Sequence, residues 1–216
     1  MKAPRDLPEI LSPETVSASE QAFRALREQL RELTVLCAAM SQAFEPQSME
    51  RRIVTSASRM VGVDGCSLYR TQGDQLRFRV VKSTPLGLMA VTDFGEEGVF
   101  APIALLDADG APSRDTIAAR AITDNDVVNV SDVTRLPNYD SSRVAQFDQR
   151  MGYETRSILA VPVSFAGHGP LGVMQFVNAK NGIGNHVPFS TTHVQLARSL
   201  AMLVGMLWMQ ASPDLS

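Results

Sequence analysis

Residues 152–178 read GYETRSILAVPVSFAGHGPLGVMQFVN, two apolar runs joined by a glycine-containing turn. In the first run Leu159, Val161, Val163 and Phe165 share one face, while Ile158, Ala160 and Pro162 take the other. The return run sets Leu171, Val173 and Val177 against Met174 and Phe176. Both faces are apolar, so the pair is expected as a hairpin in the middle of a sheet with cover on both sides. Gln175 interrupts one apolar stripe. A buried amide needs hydrogen-bond partners, supplied by a backbone carbonyl, a water or a ligand.

Working outward, the chain reads as helices, then a sheet, then a helix. Residues 1–18, with Pro4, Pro8 and Pro13 among polar residues, are expected as a disordered tail. From Ser19, residues Phe23, Leu26, Leu30, Leu33, Cys37, Met40 and Phe44 recur in steps of three and four. That is a heptad seam, expected to serve residues 19–45 as a dimerisation helix, although Leu36 widens it toward an ordinary core stripe. Pro46 ends this helix, and an amphipathic one follows with Met49, Ile53, Val54, Ala57, Met60 and Val61 inward. Residues 66–71 and 75–83 form a hairpin whose alternation of Leu76, Phe78 and Val80 with Arg77 and Arg79 predicts one wet face. Residues 84–97 are expected as a loop, Phe100–Leu106 as a strand, and Asp107–Gly110 as a polar turn.

A short helix is expected from about Asp115, whose small first-turn residues leave its amides open to an anion or capped by Asp115 itself. A brief strand at 127–130, the polar stretch SDVTRLPNYDSSR read as a lid, and a helix over 142–151 come next. The terminal helix, about 190–210, carries Leu196, Leu200, Leu203 and Leu207 on one face and Ala197, Ala201, Val204 and Trp208 beside it. An apolar arc this wide predicts more cover than one sheet provides. Leu200 and Leu207 are therefore expected to join the dimer surface.

The chain has 216 residues, 44% hydrophobic and 20% charged, with a formal net charge of −3. The arginines are scattered and lysine is confined to Lys2, Lys82 and Lys180, so neither nucleic acid nor an anionic membrane is expected as a partner. Cys37 and Cys66 are far apart in apolar settings, which reads as free buried thiols in a reducing compartment rather than a disulfide. No apolar run reaches the roughly 18 residues of a membrane span, and the N-terminus lacks a signal peptide's apolar core, so a cytoplasmic location is expected. The sequence holds no CxxC, HExxH, P-loop or GxSxG motif. His168, His186 and His193 have no metal-site spacing, and Cys66 has no histidine at a telling distance. Neither catalytic residues nor metal ligands are expected.

Taken together, Gly152–Ser157 running into Val163 (GYxTRSxLxVPV), Gly172–Asn181 (GVxQxxNxxN) and the upstream CSLYRTQGDQLRF resemble GAF domains. The likeness is nearest to those of cyclic-nucleotide phosphodiesterases, bacterial adenylate cyclases and HD-GYP-type signalling proteins, and it places the domain within residues 46–210. It implies an α+β fold: a central antiparallel sheet of five to six strands, N- and C-terminal helices packed on one face, and a lid and short-helix region on the other. It also implies a non-catalytic regulatory module of bacterial signal transduction that senses a small molecule and signals through a helical homodimer to a downstream effector. The sequence ends just past the terminal helix, so the effector is expected either in another protein or in a longer chain of which this is a piece.

The ligand stays unidentified, with a cyclic nucleotide as one candidate. In relatives that bind one, the matching positions are Ser67, the backbone near Ala118, Tyr153 and Thr155 of the YxTR motif, and Gln175. Two departures count against it. Met151 stands where those relatives have a second threonine. Their NK…F…DE signature keeps Asn178 and Phe189 but has Ala179 for the lysine and His193-Val194 for the acidic pair, with Lys180 one place off, so the lysine–aspartate bridge bracing the pocket is expected to be lost. The alternative is a ligand-free dimerisation scaffold whose pocket is plugged by Phe147, Met151 and Tyr153.

Overall fold

The computed structural model describes residues 13–42, 45–92, 100–136, 142–165 and 167–211, with 13–18, 142 and 143 described by backbone alone. The chain divides into two units, one ending at Ala39 and one beginning at Met40. The first is helix α1 (Pro13–Met40) up to that boundary. It begins at Pro13, ahead of the expected Ser19, because a proline in a first turn gives up no hydrogen bond. Residues 1–12 of the expected tail, and Phe44, lie outside the described residues. Along the heptad seam Phe23, Leu26 and Leu30 are 65%, 53% and 56% exposed, Cys37 is exposed and Leu33 is half-buried.

The second unit opens with α2 (Pro46–Val61). Glu45 caps it, accepting from the Gln47 and Ser48 amides at 3.0 and 2.6 Å, and Gly62 closes it at φ +70°. All six expected core residues of α2 are buried. The strands are β1 (Val63–Gln72), β2 (Gln75–Ser83), β3 (Leu88–Val91), β4 (Ile103–Ala104), β5 (Val128–Val130), β6 (Ile158–Val163), β7 (Gly172–Lys180) and β8 (His186–Val187). They form one antiparallel sheet of eight strands in the order β3-β2-β1-β7-β6-β5, with β4 added to β2 and β8 to β7. The two beyond the expected six are these two-residue pairings. The central hairpin is β6–β7, in register from Ile158–Val177 to Val163–Gly172, and β1 and β5 flank it.

The two faces of the hairpin meet different layers. Leu159, Val161, Val163, Met174 and Phe176 are buried on the face that α2 and α5 (Thr191–Ala211) cover. Ile158, Ala160 and Val173 pack with Ile117, Ala118 and Ala121 of α3 (Ile117–Asp124) on the other. Gly172 is obligatory at the crossing. A Cβ there would stand 2.1 Å from the Tyr69 carbonyl and 2.9 Å from the Trp208 ring.

Three expectations are corrected. Leu200 and Leu207 are 0% exposed and belong to this unit's own core, because α5 spends its apolar arc on α2, β6 and β7, leaving Met202 and Met206 outside. Arg79 is not on a wet face. A bulge pairs Leu68 with Val80 and Tyr69 with Phe78, which leaves Arg79 unmatched and turned inward. There its Nη2 donates to Glu50 at 2.9 Å, its Nη1 to the Thr92 carbonyl at 2.9 Å, and Trp208 Nε1 donates to Glu50 at 2.6 Å. Glu50 and Arg79 are 1% and 6% exposed. The third correction concerns Phe100–Leu106, which contributes only the two residues of β4; the loop expected over 84–97 contains β3, and its residues 93–97 lie outside the described set.

Candidate functional site

On the face opposite α2 and α5, a cavity of about 330 Å³ opens between the sheet, the start of α3 and α4 (Ser142–Met151). Ser67 and Gln175, register partners across β1 and β7, stand at its floor. Aromatic rings wall it in sequence. Tyr69 meets Phe78 edge-on at 4.9 Å between centroids, Phe78 meets Phe100 at 4.8 Å, and Phe100 meets Phe147 of α4 at 6.1 Å.

Four of the five expected ligand positions, Ser67, Tyr153, Thr155 and Gln175, line this cavity. Ala118 does not; it faces from α3 into the core against the sheet. The helix starts later than expected, with Thr116 rather than Asp115 as its cap, accepting from the Ala119 amide at 3.0 Å. Asp115, Thr116 and Ile117 reach the cavity instead. Of the three residues expected as a plug, Phe147 and Tyr153 line the wall, but Met151 is 44% exposed and points elsewhere. In the expected lid, residues 137–141 lie outside the described residues; Asp132 caps the short turn Val133–Arg135, accepting from Thr134 N at 3.0 Å.

The rim segment carrying Tyr153 and Thr155 is held by two side chains. Asp148 of α4 accepts from the Thr155 amide at 2.7 Å and from its hydroxyl at 2.9 Å. Asn178, at φ +56° and fully buried, accepts from the Arg156 and Ser157 amides and donates to the Glu154 carbonyl and the Tyr153 hydroxyl, all within 3.1 Å. Left-handed backbone suits asparagine better than most residues. The Tyr153 hydroxyl in turn donates to Asp64 at 2.9 Å. Burial and the Asp64 charge push that phenol up, so it stays neutral.

Asp64 gathers Tyr153, Asn178, His186 (Nε2 at 2.8 Å) and Lys180. Burial works against its ionisation, but the hydrogen bonds from Lys180, Tyr153 and Asn178 outweigh it and hold the carboxyl below the usual range. Lys180 pairs with Asp64 of β1, an aspartate outside the family signature, whose acidic positions are His193 and Val194 here. Asp148, His186 and the Glu50–Arg79 pair gave no signal in the sequence, since nothing in their spacing tells which distant strand they meet. Cys66 is buried, and burial pushes its thiol up, away from a reactive thiolate.

Residues 45–208 match the family model described as GAF domain. Among curated proteins none matches the sequence. Solved structures share the fold at low identity. The GAF domain of an Acinetobacter phosphoenolpyruvate-protein phosphotransferase is 14% identical, with a TM-score of 0.60 over 87% of this chain and 98% of that one. The free methionine-R-sulfoxide reductase of Neisseria meningitidis, solved with its substrate, is 15% identical, with a TM-score of 0.58 over 87% and 92%. A methyl-accepting chemotaxis protein segment is 13% identical, with a TM-score of 0.57 over 83% and 98%. Among the described residues no helix is long and apolar enough to cross a membrane. With the family model spanning the whole sheet, both helical layers and the cavity, the chain belongs to the GAF domain family, regulatory sensor-type domains of signalling proteins.

Proposed function

We propose that this chain is a non-catalytic sensor that binds a small molecule in the cavity of about 330 Å³ and relays occupancy through a helical homodimer to a downstream effector, in the bacterial cytoplasm. The carrying observation is the cavity itself. Its size falls within the range of ligand pockets, and a buried polar floor lies under an aromatic wall. The solved relatives from Acinetobacter and Neisseria support the bacterial setting, and the reductase solved with its substrate supports a fold that accepts small molecules. The exposed seam of Phe23, Leu26 and Leu30 supports a second copy as partner. Ligand binding shifts output only if the two helix arrangements differ in affinity.

The experiment has two arms. By light scattering the wild type is a dimer, and Leu30→Glu with Leu33→Glu is a monomer. Cys37, exposed on the seam, forms an intermolecular disulfide on mild oxidation if the helices run parallel and in register. In a thermal-shift screen a specific metabolite at 100 times its dissociation constant adds about 2.7 kcal/mol. A dimer that no metabolite stabilises favours the scaffold reading, and a monomeric wild type removes the relay.

A further inference from the structure

Granting that the cavity is a ligand site, we infer that its ligand is a neutral, planar ring system carrying an adjacent hydrogen-bond donor and acceptor, a lactam-type edge, and not an anion. The floor sets the polar requirement. Gln175 is half-buried between Val173 and Val177 on the same face, and its side chain makes no hydrogen bond among the described residues. Its amide presents an acceptor and a donor side by side, the complement of a lactam N–H and C=O. Beside it stand the Ser67 hydroxyl and, two residues along the same face of β1, the Tyr69 phenol, which burial pushes up and keeps neutral. The ring sequence from Tyr69 to Phe147 supplies flat apolar flanks for a planar body.

The remaining polar groups argue against negative charge. The Thr155 amide and hydroxyl, the pair an anion would seek, both donate to the Asp148 carboxylate. The Thr116 oxygen accepts from the Ala119 amide, and Asp115 adds a carboxylate at the wall. Lys82 is the only cationic residue among the described lining residues. It alternates with Val81 and Ser83 on β2 and shares the register of Cys66, so the pleat directs its side chain to the opposite face. An anion entering here would lose its water and meet the Asp115 carboxylate at the wall with no guanidinium to replace it.

A matched probe series on the intact chain tests this. The probes are 2-quinolone, N-methyl-2-quinolone (donor removed), quinoline-2-carboxylate (anion) and cyclic GMP, titrated against labelled protein by NMR. We expect 2-quinolone to shift cavity resonances, including the Gln175 side-chain amide, and to bind about tenfold tighter than its N-methyl analogue, the size of one hydrogen bond. Gln175→Leu should erase that preference while leaving the spectrum folded, whereas Gln175→Glu, which loses the donor to the ligand C=O but keeps the acceptor for its N–H, should weaken both probes and leave the preference in place. Tighter binding of the carboxylate or of cyclic GMP overturns the inference while leaving the ligand site standing, as does a lactam preference that survives Gln175→Leu. If none of the four probes moves a cavity resonance, the ligand-site reading fails and this inference fails with it.

Discussion

The two faces of one sheet handle buried polar groups in opposite ways. Beneath α2 and α5, Glu50 and Arg79 are sealed from water, and each charged group has several partners, down to Trp208 Nε1 and the Thr92 carbonyl. Above α3 and α4, Gln175 and Ser67 border open space. The Glu50–Arg79 pair is satisfied without help, while the cavity face leaves the Gln175 amide unused. The lesson is that stability and responsiveness are separated across a single layer.

The sharpest way to break this comparison is to strip the helical face of one charge. Glu50→Ala leaves Arg79 buried without its counterion, which is expected to cost about 3–5 kcal/mol in chemical denaturation. Glu50→Leu combined with Arg79→Met should recover most of that loss, since the penalty comes from the orphaned charge rather than from the pair's own net worth. If Glu50→Ala costs less than about 1 kcal/mol, water reaches the pair and the two faces are not distinct in this way.

The same contrast marks what was legible in the sequence. The β6–β7 hairpin, the inward stripe of α2 and the bounds of α4 follow from local periodicity, and each matches. Residues 142–151 were read as a helix and are one. What depended on a partner far along the chain was not legible. Arg79 alternates like a surface residue, and only the register slip opposite Leu68 and Tyr69 turns it inward. The stripe of Leu200 and Leu207 looks the same whether its cover is a second chain or this chain's α2 and β6, and it is the latter. In the site, Gln175 was legible because it interrupts an apolar stripe of β7, whereas Ser67, Tyr153 and Thr155 follow from the likeness to GAF domains, and all four line the cavity. Ala118 was misplaced by one turn boundary, and Lys180, one position off the family signature, still reaches Asp64 from the next strand position.

A middle-sized effect is expected where the two faces are joined, at Asp64. Its folded carboxyl titrates below the unfolded value of about 3.9. The stability it contributes is therefore complete above that value and is lost as the pH falls through the lower folded one. Asp64→Asn should cost about 1.5–3 kcal/mol at neutral pH, the scale of hydrogen bonds to a charged group, and should flatten the acid limb of a stability–pH profile. Retention of the wild-type acid limb in this variant would assign that limb to other carboxylates.

The smallest effect should come from the cavity floor itself. Gln175→Leu replaces an amide that has no partner among the described residues with an apolar side chain of similar size between Val173 and Val177. A hydrogen bond that is not made cannot be lost, and removing an unpaired half-buried amide relieves desolvation, so the ligand-free stability should change by less than about 0.5 kcal/mol or rise slightly. The measurement is the same denaturation series used for Glu50→Ala, which makes the two numbers directly comparable. A loss of about 2 kcal/mol would mean that Gln175 already has a partner holding it, and the cavity face would then be as finished as the helical one. A neutral result beside a large one for Glu50→Ala would place the unspent polar capacity of this domain on the face where a ligand can reach it.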